Sequence, residues 1–453
     1  MATKEFPLEP RTVEPVETKY RKIQTQIPVP KSIPALQKLR DLEPRSMGGQ
    51  PPILWHSGKD FTVSDPYGNT WLDFSAGVLV TAVGHGRPEV VRAIQAMAGQ
   101  GMYHSYCFPT EIRVKLIEEL TTWLPAPLKR VFLLTTGSEA TECCIKLART
   151  KGMKVGGAGK NIIVTFENAF HGRTMGAQLA GGSAGLKSWL PDDPTFVQVP
   201  FPDGFRQKDV NFDVFTKTLA EKGVKADHVA GVMSETYQGC NATLMPAEYA
   251  RQLRHWCDEH KAVLIFDEVQ AGFGRTGKAF GFMHFGIVPD LVACGKGLSG
   301  GMPVSAVLGT DELMGIYGPG EMTSTHSANP ICSAAALANL KIIREEKLVE
   351  NAAKLAPVLL AGAERIQKAS NGKIGRVAGA GLVVAMQFTK PGTTDPDPEP
   401  AWEVVQKAVQ RGVMLFAPVG VGGCAIKINP PLTITQDALE EGLGVLEEIA
   451  KEL

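Results

Sequence analysis

Short, uninterrupted runs of apolar residues recur through the middle of the chain, separated by segments with helical periodicity. The apolar runs cover residues 131–134, 162–166, 229–233, 263–266 and 291–293. Between them, apolar positions in segments such as 139–150 and 247–260 repeat at helical spacing. Strands that are apolar on both faces are typical of a parallel sheet buried between helices. The pattern therefore predicts an α/β domain with a largely parallel sheet covered by helices.

The amino-terminal part of the chain follows another pattern. Prolines interrupt helical periodicity throughout the first 55 residues, which predicts an extended arm that packs on a partner subunit. Residues 56–74 contain two apolar stretches separated by a turn sequence at 66–69, as in a β-hairpin. This part of the chain is predicted to lie outside the α/β domain.

The carboxyl-terminal part predicts a second, smaller lobe. After residue 345, helical stretches alternate with strand candidates at 382–388, 413–416 and 424–428, and a final helix begins near residue 436. The chain is therefore divided into an arm with part of the small domain, a large domain and a carboxyl-terminal small α+β domain, over residues 1–75, 76–345 and 346–453.

Composition and charge narrow the class of protein. Of the 453 residues, 44% are hydrophobic and 21% charged, which excludes a disordered chain. A single core rarely grows past about 250–300 residues, so this length favours two domains. The 47 basic and 47 acidic residues balance, and no apolar run reaches the roughly 18 residues that span a bilayer. We therefore expect no nucleic-acid or membrane partner.

Targeting signals and metal-binding motifs are also missing from the sequence. The charged amino terminus has no apolar signal core, so the chain is expected to be cytoplasmic. The eight cysteines form no C-x-x-C pair, and the nine histidines are scattered. These spacings predict neither a disulfide framework nor a metal site.

Three apolar runs are followed by residues that bear chemistry, and ligands of open α/β sheets bind beyond the carboxyl ends of the strands. Gly137 and Ser138 open a helix whose free N–H groups suit a phosphate, although serine is also an ordinary helix cap. Asp267 ends a buried apolar run, where its carboxylate needs a cation or a protonated nitrogen as partner. The alternative is that this partner is a basic side chain in a structural salt bridge. Lys296 stands between glycines, where burial would prepare it for Schiff-base chemistry, although most such lysines are solvated.

Taken together, the three strand ends match one ligand. A phosphate, a protonated ring nitrogen and an aldehyde are the reactive groups of pyridoxal 5′-phosphate. A rival interpretation is a serine hydrolase, because Ser299 lies in a G-x-S-x-G match. The only histidine after it, His326, follows too closely for the elements that normally separate the two. The hydrolase is the distant alternative, and a catalytically silent binding protein is the non-enzyme alternative.

The same segments resemble the class III aminotransferases, a branch of the fold type I pyridoxal phosphate enzymes that includes the 4-aminobutyrate, ornithine and ω-amine transaminases. The resemblance runs from about Trp71 to the carboxyl terminus and rests on TTGSEA, FHGRT, DEVQ followed by GFGRTG, GKG and THSANP. It implies a large domain with a mostly parallel seven-stranded sheet, a smaller α+β domain and pyridoxal 5′-phosphate as cofactor. It also implies that Lys296 and Asp267 are catalytic.

The resemblance further implies a set of cofactor contacts. In this family the aspartate pairs with the ring nitrogen, the DEVQ glutamine lies near the phenolic oxygen, and the F-H-G aromatic residue stacks on the ring. The threonine of THSANP reaches the phosphate of the neighbouring subunit, which implies a homodimer, or a tetramer built from it, with shared active sites. The cofactor contacts are then Gly137, Ser138, Phe170, His171, Glu235, Asp267, Gln270, Lys296 and Thr325.

Two departures from the family pattern bear on the substrate. The family strand E-P-V-Q-G-E carries two glutamates, and here Cys240 stands in place of the second. Lys427 stands at the position of the arginine that pairs with this glutamate. The alternative is that Lys427 points to solvent and has no part in the pocket. The family pair lets one pocket alternate between a carboxylate and an uncharged group, and lysine lacks the bidentate fork of arginine. Val78 is a further candidate for substrate contact.

The sequence therefore predicts ping-pong transfer of an amino group from an amine or ω-amino acid to a 2-oxo acid, with small-molecule partners. Because the Glu/Arg pair is missing, pyruvate is expected to be favoured over 2-oxoglutarate as acceptor. A racemase or epimerase and a decarboxylating aminotransferase are alternatives on the same scaffold.

Overall fold

The computed structural model describes residues 4–453, which form two compact units. The first combines the chain up to Arg87 with Asn351–Leu453, and the second is Pro88–Glu350. The first boundary lies after Arg87, and not after residue 75, because the intervening segment is hydrogen-bonded within the first unit. There the N–H of Leu432 donates to the carbonyl of Ala82 at 2.8 Å. The first three residues of the predicted arm lie outside the described residues.

The amino-terminal part of the first unit consists of short elements. They are β1 (Val16–Glu17), β2 (Lys22–Ile23), α1 (Ile33–Leu42), β3 (Ser57–Lys59), β4 (Thr62–Ser64), β5 (Thr70–Asp73) and the single turn α2 (Ala76–Leu79). β4 and β5 pair antiparallel with Val63 opposite Trp71, which confirms the predicted hairpin. The prediction of an extended arm is wrong over α1, because Pro34 stands in the first helical turn, where proline removes no hydrogen bond.

The second unit is a layered α/β domain. Its elements are α3 (Pro88–Gly99), α4 (Glu111–Thr121), β6 (Arg130–Leu134), α5 (Gly137–Gly156), β7 (Ile162–Phe166), α6 (Met175–Ala180), β8 (Phe196–Val199), α7 (Asp213–Glu221), β9 (Val229–Glu235), α8 (Ala247–Glu259), β10 (Val263–Asp267), β11 (Leu291–Cys294), β12 (Ser305–Gly309), α9 (Asp311–Met314) and α10 (Pro330–Glu345). The strands form a seven-stranded sheet in the order β6-β12-β11-β10-β9-β7-β8, which confirms the predicted sheet.

The direction of the strands brings the predicted chemistry to one edge of this sheet. Every residue of β9, β10 and β11 is buried, as expected of strands covered on both faces. Of the strands in this sheet, β12 alone runs antiparallel to its neighbours, β6 and β11. The carboxyl ends of β6, β7, β9, β10 and β11 therefore share one edge, where ligands bind in open α/β sheets.

The carboxyl-terminal elements complete the first unit. Starting from the helix that crosses the unit boundary, they are α11 (Leu348–Ala369), β13 (Ile374–Ala380), β14 (Val383–Phe388), α12 (Pro398–Gln410), β15 (Val413–Met414), β16 (Ala425–Ile428) and α13 (Gln436–Lys451). β13, β14 and β16 form an antiparallel sheet, and β15 pairs with β5. Over residues 4–453, none of the helices combines the length and the apolarity needed to cross a membrane.

Candidate active site

The carboxyl edge of the seven-stranded sheet borders a cavity of about 180 Å³. Its walls come from segments at the ends of β6, β7, β9, β10 and β11, namely Gly137, Ser138, Phe170, His171, Gly172, Arg173, Glu235, Asp267, Val269, Gln270 and Lys296. Eight of the nine cofactor contacts predicted from the sequence belong to this set. The ninth, Thr325, is exposed and is not among the lining residues.

One wall of the cavity is the start of α5, which is built by a capping box. The side-chain oxygen of Thr136 accepts the N–H of Glu139 at 3.2 Å, and the Glu139 carboxylate accepts the N–H of Thr136 at 3.0 Å. Within residues 4–453, the N–H groups of Gly137 and Ser138 have no acceptor. Two unpaired donors at the positive end of a 20-residue helix suit a phosphate.

The loop after β7 approaches this helix start closely. The backbone N–H of Arg173 donates to Oγ of Ser138 at 3.4 Å, and the hydroxyl of Thr141 donates to the carbonyl of His171 at 2.7 Å. A Cβ at Gly172 would lie 2.4 Å from Oγ of Ser138, and the φ of this glycine is +136°. Only glycine permits this approach, so the loop is held against the proposed phosphate turn.

Asp267 ends β10, and two donors orient its carboxylate. Nδ1 of His171 lies 2.7 Å from Oδ2, and the N–H of Val269 donates to Oδ1 at 3.0 Å. Burial lowers the pKa of His171, but the hydrogen bond and the charge of Asp267 outweigh this effect and raise the pKa above its usual value. His171 thus orients the Asp267 carboxylate, a contact that the sequence motifs did not indicate.

Lys296 follows β11 in a strained backbone conformation. Its φ is +44°, in the left-handed region that residues other than glycine rarely adopt. Burial lowers the pKa of Lys296, and the charges of Asp267 and Glu235 raise it only in part. Burial therefore favours the neutral amine, the form that attacks an aldehyde or takes up a proton. The alternative of a merely solvated loop lysine does not hold, because this side chain lines the cavity.

Glu235 and Gln270 form a polar wall beside Asp267. The Glu235 carboxylate accepts the N–H of Phe170 at 3.1 Å and the N–H of Gly239 at 2.8 Å. A Cβ at Gly239 would lie 2.3 Å from Nε2 of Gln270 and 2.7 Å from Oε1 of Glu235, so a larger residue here would displace these two side chains. Burial raises the pKa of Glu235 to about 7. This carboxyl group can therefore exchange a proton near neutral pH.

Sequence reasoning missed three of the lining residues, which are Gly172, Arg173 and Val269. The guanidinium of Arg173 lies 5.6 Å from the ring centroid of Phe170, as in a cation–π contact. Within residues 4–453, this guanidinium forms no ion pair or hydrogen bond. All three residues stand inside the FHGRT and DEVQ motifs, so their position in the motifs was the signal that could have identified them.

The three candidate substrate contacts are Cys240, Val78 and Lys427. Cys240 is half-buried, with Sγ 3.7 Å from Oε1 of Gln238, and is not a lining residue of the cavity. Val78 and Lys427 belong to the first unit, where Val78 has a φ of +65°. Lys427 is only 3% exposed, and its Nζ lies 6.0 Å from the ring centroid of Phe416. The alternative of a solvent-directed Lys427 is therefore wrong.

The serine hydrolase alternative is not supported by the geometry of its serine. Ser299 is 1% exposed, and its hydroxyl donates to the carbonyl of Met302. His326 packs edge-on against His104, with ring centroids 5.6 Å apart. Among the described residues, no histidine is hydrogen-bonded to Ser299. A nucleophile needs an adjacent base and an accessible hydroxyl, and Ser299 has neither.

The groups around the cavity fit pyridoxal 5′-phosphate. The unpaired amides of Gly137 and Ser138 suit its phosphate. The Asp267 carboxylate suits a protonated ring nitrogen, and the Lys296 amine suits an aldehyde. Phe170, 38% exposed, offers an aromatic face to a ring.

The sequence of the chain matches known aminotransferases along nearly its whole length. Residues 46–450 match the family model for aminotransferase class-III. A 4-aminobutyrate aminotransferase of Mycobacterium leprae is 34% identical, with 95% of this chain and 98% of the relative covered. A 5-aminovalerate aminotransferase of Pseudomonas putida is 33% identical, with 90% and 96% covered.

Solved structures agree with this relationship. An aminotransferase of Bacillus anthracis superimposes with a TM-score of 0.85 at 26% identity, covering 93% of this chain and 99% of that chain. A thermostable (S)-enantioselective ω-transaminase of Thermomicrobium roseum gives a TM-score of 0.82 at 26% identity, covering 92% and 98%. The chain therefore belongs to the class III aminotransferases, which are enzymes that depend on pyridoxal 5′-phosphate.

Proposed function

We propose that this enzyme transfers an amino group from an amine or ω-amino acid to a 2-oxo acid in two successive half-reactions. The observation that carries the proposal is that the amine of Lys296 and the carboxylate of Asp267 line one cavity, beside the unpaired amides that open α5. The names of two relatives support the donor class, because 4-aminobutyrate and 5-aminovalerate both carry a terminal amine and a carboxylate.

When bound, pyridoxal 5′-phosphate supplies an aldehyde that takes the amino group and a ring that accepts an electron pair. With the cofactor bound, the Asp267 carboxylate would accept a hydrogen bond from the protonated ring nitrogen. Its orientation is maintained by the hydrogen bonds from His171 and Val269. Because the Asp267 carboxylate is already oriented before the reaction begins, it can lower the activation barrier without a rearrangement of the surrounding dipoles.

Lys296 moves protons at its Nζ atom. Because burial lowers its pKa, the neutral amine takes a proton from the substrate carbon that bears the amino group. With the cofactor bound, the ammonium formed in this way would give the proton to the cofactor carbon that carried the aldehyde, which leaves Nζ neutral again. The same residue thus acts first as base and then as acid, which fits its position among the lining residues.

Arg173 is the residue that we propose to bind the substrate carboxylate. It lines the cavity and is exposed, and its guanidinium has no ion-pair partner in the described part of the chain. A guanidinium recognises a carboxylate through two parallel hydrogen bonds. An ω-amino acid whose amine reaches Lys296 would then present its carboxylate to this cation.

Replacement of Arg173 by glutamine is expected to raise KM for 4-aminobutyrate by roughly 10- to 100-fold, because a charge-assisted hydrogen-bonded contact is lost. KM for a carboxylate-free aryl amine should change by less than about threefold, because that donor makes no such contact. Steady-state kinetics with the two donors at saturating acceptor measure this split.

The matched control for this variant is Arg206→Gln. The guanidinium of Arg206 also stacks on an aromatic ring, 5.2 Å from the centroid of Phe205, but Arg206 does not line the cavity. The control should leave both KM values unchanged. If KM rises equally for both donors in the Arg173→Gln variant, Arg173 does not bind the substrate carboxylate.

The proposed function is tested by incubating the holoenzyme with each donor and either pyruvate or 2-oxoglutarate and assaying both products. We expect pyruvate to be the better acceptor, because Cys240 and Lys427 stand where the family carries its Glu/Arg pair. Equal or better use of 2-oxoglutarate would contradict this reading of the two positions. A racemised donor without a new amino acid would instead favour the racemase, and released carbon dioxide the decarboxylating enzyme.

We further propose that the enzyme is a homodimer in which Thr325 reaches the active site of the partner subunit. Thr325 is exposed and does not line the cavity of its own chain, which leaves it available to a neighbouring subunit. Sedimentation velocity should give a dimer or a multiple of it. A stable monomer with full activity would contradict the shared site.

A further inference from the structure

A single buried side chain holds the loop that carries Lys296. Asn339 of α10 is completely buried, and its Nδ2 donates to the carbonyls of Gly297 and Leu298 at 2.8 and 3.0 Å. These carbonyls belong to the two residues that directly follow Lys296. Both donor hydrogens of the Asn339 amide are therefore used on this loop.

The other end of the Asn339 amide is also in contact with the loop. A Cβ at Gly300 would lie 2.5 Å from Oδ1 of Asn339, and Gly300 has a φ of +65°. Oδ1 itself is buried and accepts no hydrogen bond within residues 4–453. The loop therefore contacts both the nitrogen and the oxygen of the Asn339 side-chain amide.

An amide at this position is costly unless it has a function. The surrounding residues of α10 are apolar and buried, as shown by Ala335, Leu340 and Ile343. Burial of a polar group in such surroundings is unfavourable unless it is hydrogen-bonded, and here one acceptor stays unpaired. An apolar residue would pack into the helix at lower cost, but it could not bind the loop carbonyls.

The backbone that Asn339 binds is strained. Lys296 has a φ of +44°, and such conformations persist only where the surrounding structure over-determines them. The hydrogen bonds from Asn339 to Gly297 and Leu298 act on the residues next to this strained position. Without them, the loop could relax toward a favoured conformation and displace the lysine side chain from the cavity.

We infer that Asn339 is a positioning residue for Lys296, holding the loop in the conformation that presents the lysine amine to the cavity. This inference rests on the proposed role of Lys296 and adds a residue outside the family motifs on which the resemblance rests. Asn339 has no direct part in the chemistry, since it is not among the residues that line the cavity.

The test uses the full-length variants Asn339→Ala and Asn339→Asp. Asparagine and aspartate have nearly the same shape, so Asn339→Asp removes at least one of the two donors, and both when the carboxyl group is ionised, without leaving a cavity. In the cofactor-free protein, hydrogen exchange of the amides in 297–301 is measured by mass spectrometry. We expect exchange to accelerate by about tenfold or more in both variants, as the loss of at least one buried hydrogen bond implies.

A second readout is the rate at which the borohydride-sensitive visible band forms after pyridoxal 5′-phosphate is added. We expect this rate to fall by about tenfold in both variants, because the amine is no longer held in place. The matched control is Asn351→Ala. Nδ2 of Asn351 likewise donates to two carbonyls, those of Leu432 and Ile434, but in the first unit. The control should lower the melting temperature and leave both readouts unchanged.

Wild-type exchange and wild-type band formation in Asn339→Asp would overturn the inference, whatever the behaviour of Asn339→Ala. Effects as large in Asn351→Ala would overturn it as well, because they would reflect general destabilisation. If the wild-type protein forms no borohydride-sensitive band, the proposed function fails. The exchange measurement on the cofactor-free protein still shows in that event whether Asn339 holds the loop.

Discussion

Replacement of Lys296 by alanine is expected to abolish multiple turnover, with kcat reduced by about 10⁴-fold or more. The variant loses both the amine that binds the cofactor covalently and the group that moves protons at the substrate carbon. Its cofactor, if bound, should lack the visible band that borohydride removes. Steady-state kinetics and absorbance spectra of the reconstituted protein measure these two losses.

Lys160→Met is a suitable control for this substitution. Lys160 is also buried, at 4% exposure, but its Nζ donates to the carbonyls of Asp227 and His260 and does not line the cavity. The control should reduce stability and keep the visible band. A Lys296→Ala enzyme that cycles at the parental rate would refute the role assigned to this lysine.

Replacement of Asp267 by alanine should lower kcat by about 10²- to 10³-fold, the usual effect of removing one preorganised electrostatic contact. The variant has no carboxylate to hold the proton of the ring nitrogen, and His171 loses its partner across 2.7 Å. The measurement is kcat with a saturating donor and acceptor. Asp267→Asn tests the same charge without removing the side chain.

Glu268→Gln provides the control for a neighbouring buried carboxyl group. Glu268 accepts the N–H groups of Gly281 and Phe282 at 2.8 and 2.9 Å, and it does not line the cavity. Glutamine preserves one acceptor oxygen, so kcat should stay within about threefold of the parental value. If kcat falls as far in Glu268→Gln as in Asp267→Ala, the effect is not specific to the carboxylate that lines the cavity.

The sequence predicts those parts of the sheet whose strands are apolar on both faces. β9, β10 and β11 contain the apolar runs that the sequence shows, and every residue of these strands is buried. The pattern misses β12, which begins at Ser305 and ends at Gly309 and so leaves an apolar run too short to recognise. It also misses β8, an edge strand that contains the partly exposed Gln198.

The site was predictable where its residues follow directly from a strand end. Lys296 and Asp267 stand at such ends, and parallel strands bring their ends to one edge. The contact between His171 and Asp267 joins residues 96 positions apart, and that between Asn339 and Gly297 joins residues 42 apart. Such contacts depend on how loops and helices pack, which motif spacing does not specify.

The direction in which an individual side chain points could not be predicted from the sequence either. Lys427 lies on the four-residue strand β16, in which all four residues are buried, and a charged residue in so short a strand gives no sign that both faces are covered. The structure buries it beside Phe416. The cation–π contact helps to compensate for the loss of water around the ammonium group.

The central claim is that the cofactor is bound covalently to Lys296, and chemical trapping tests it most directly. The purified holoenzyme is reduced with borohydride and digested, and the peptide that carries the reduced cofactor is sequenced by mass spectrometry. We predict a single modified residue, Lys296. A cofactor attached to another lysine, or a holoenzyme that borohydride leaves unlabelled, would contradict the proposed active site.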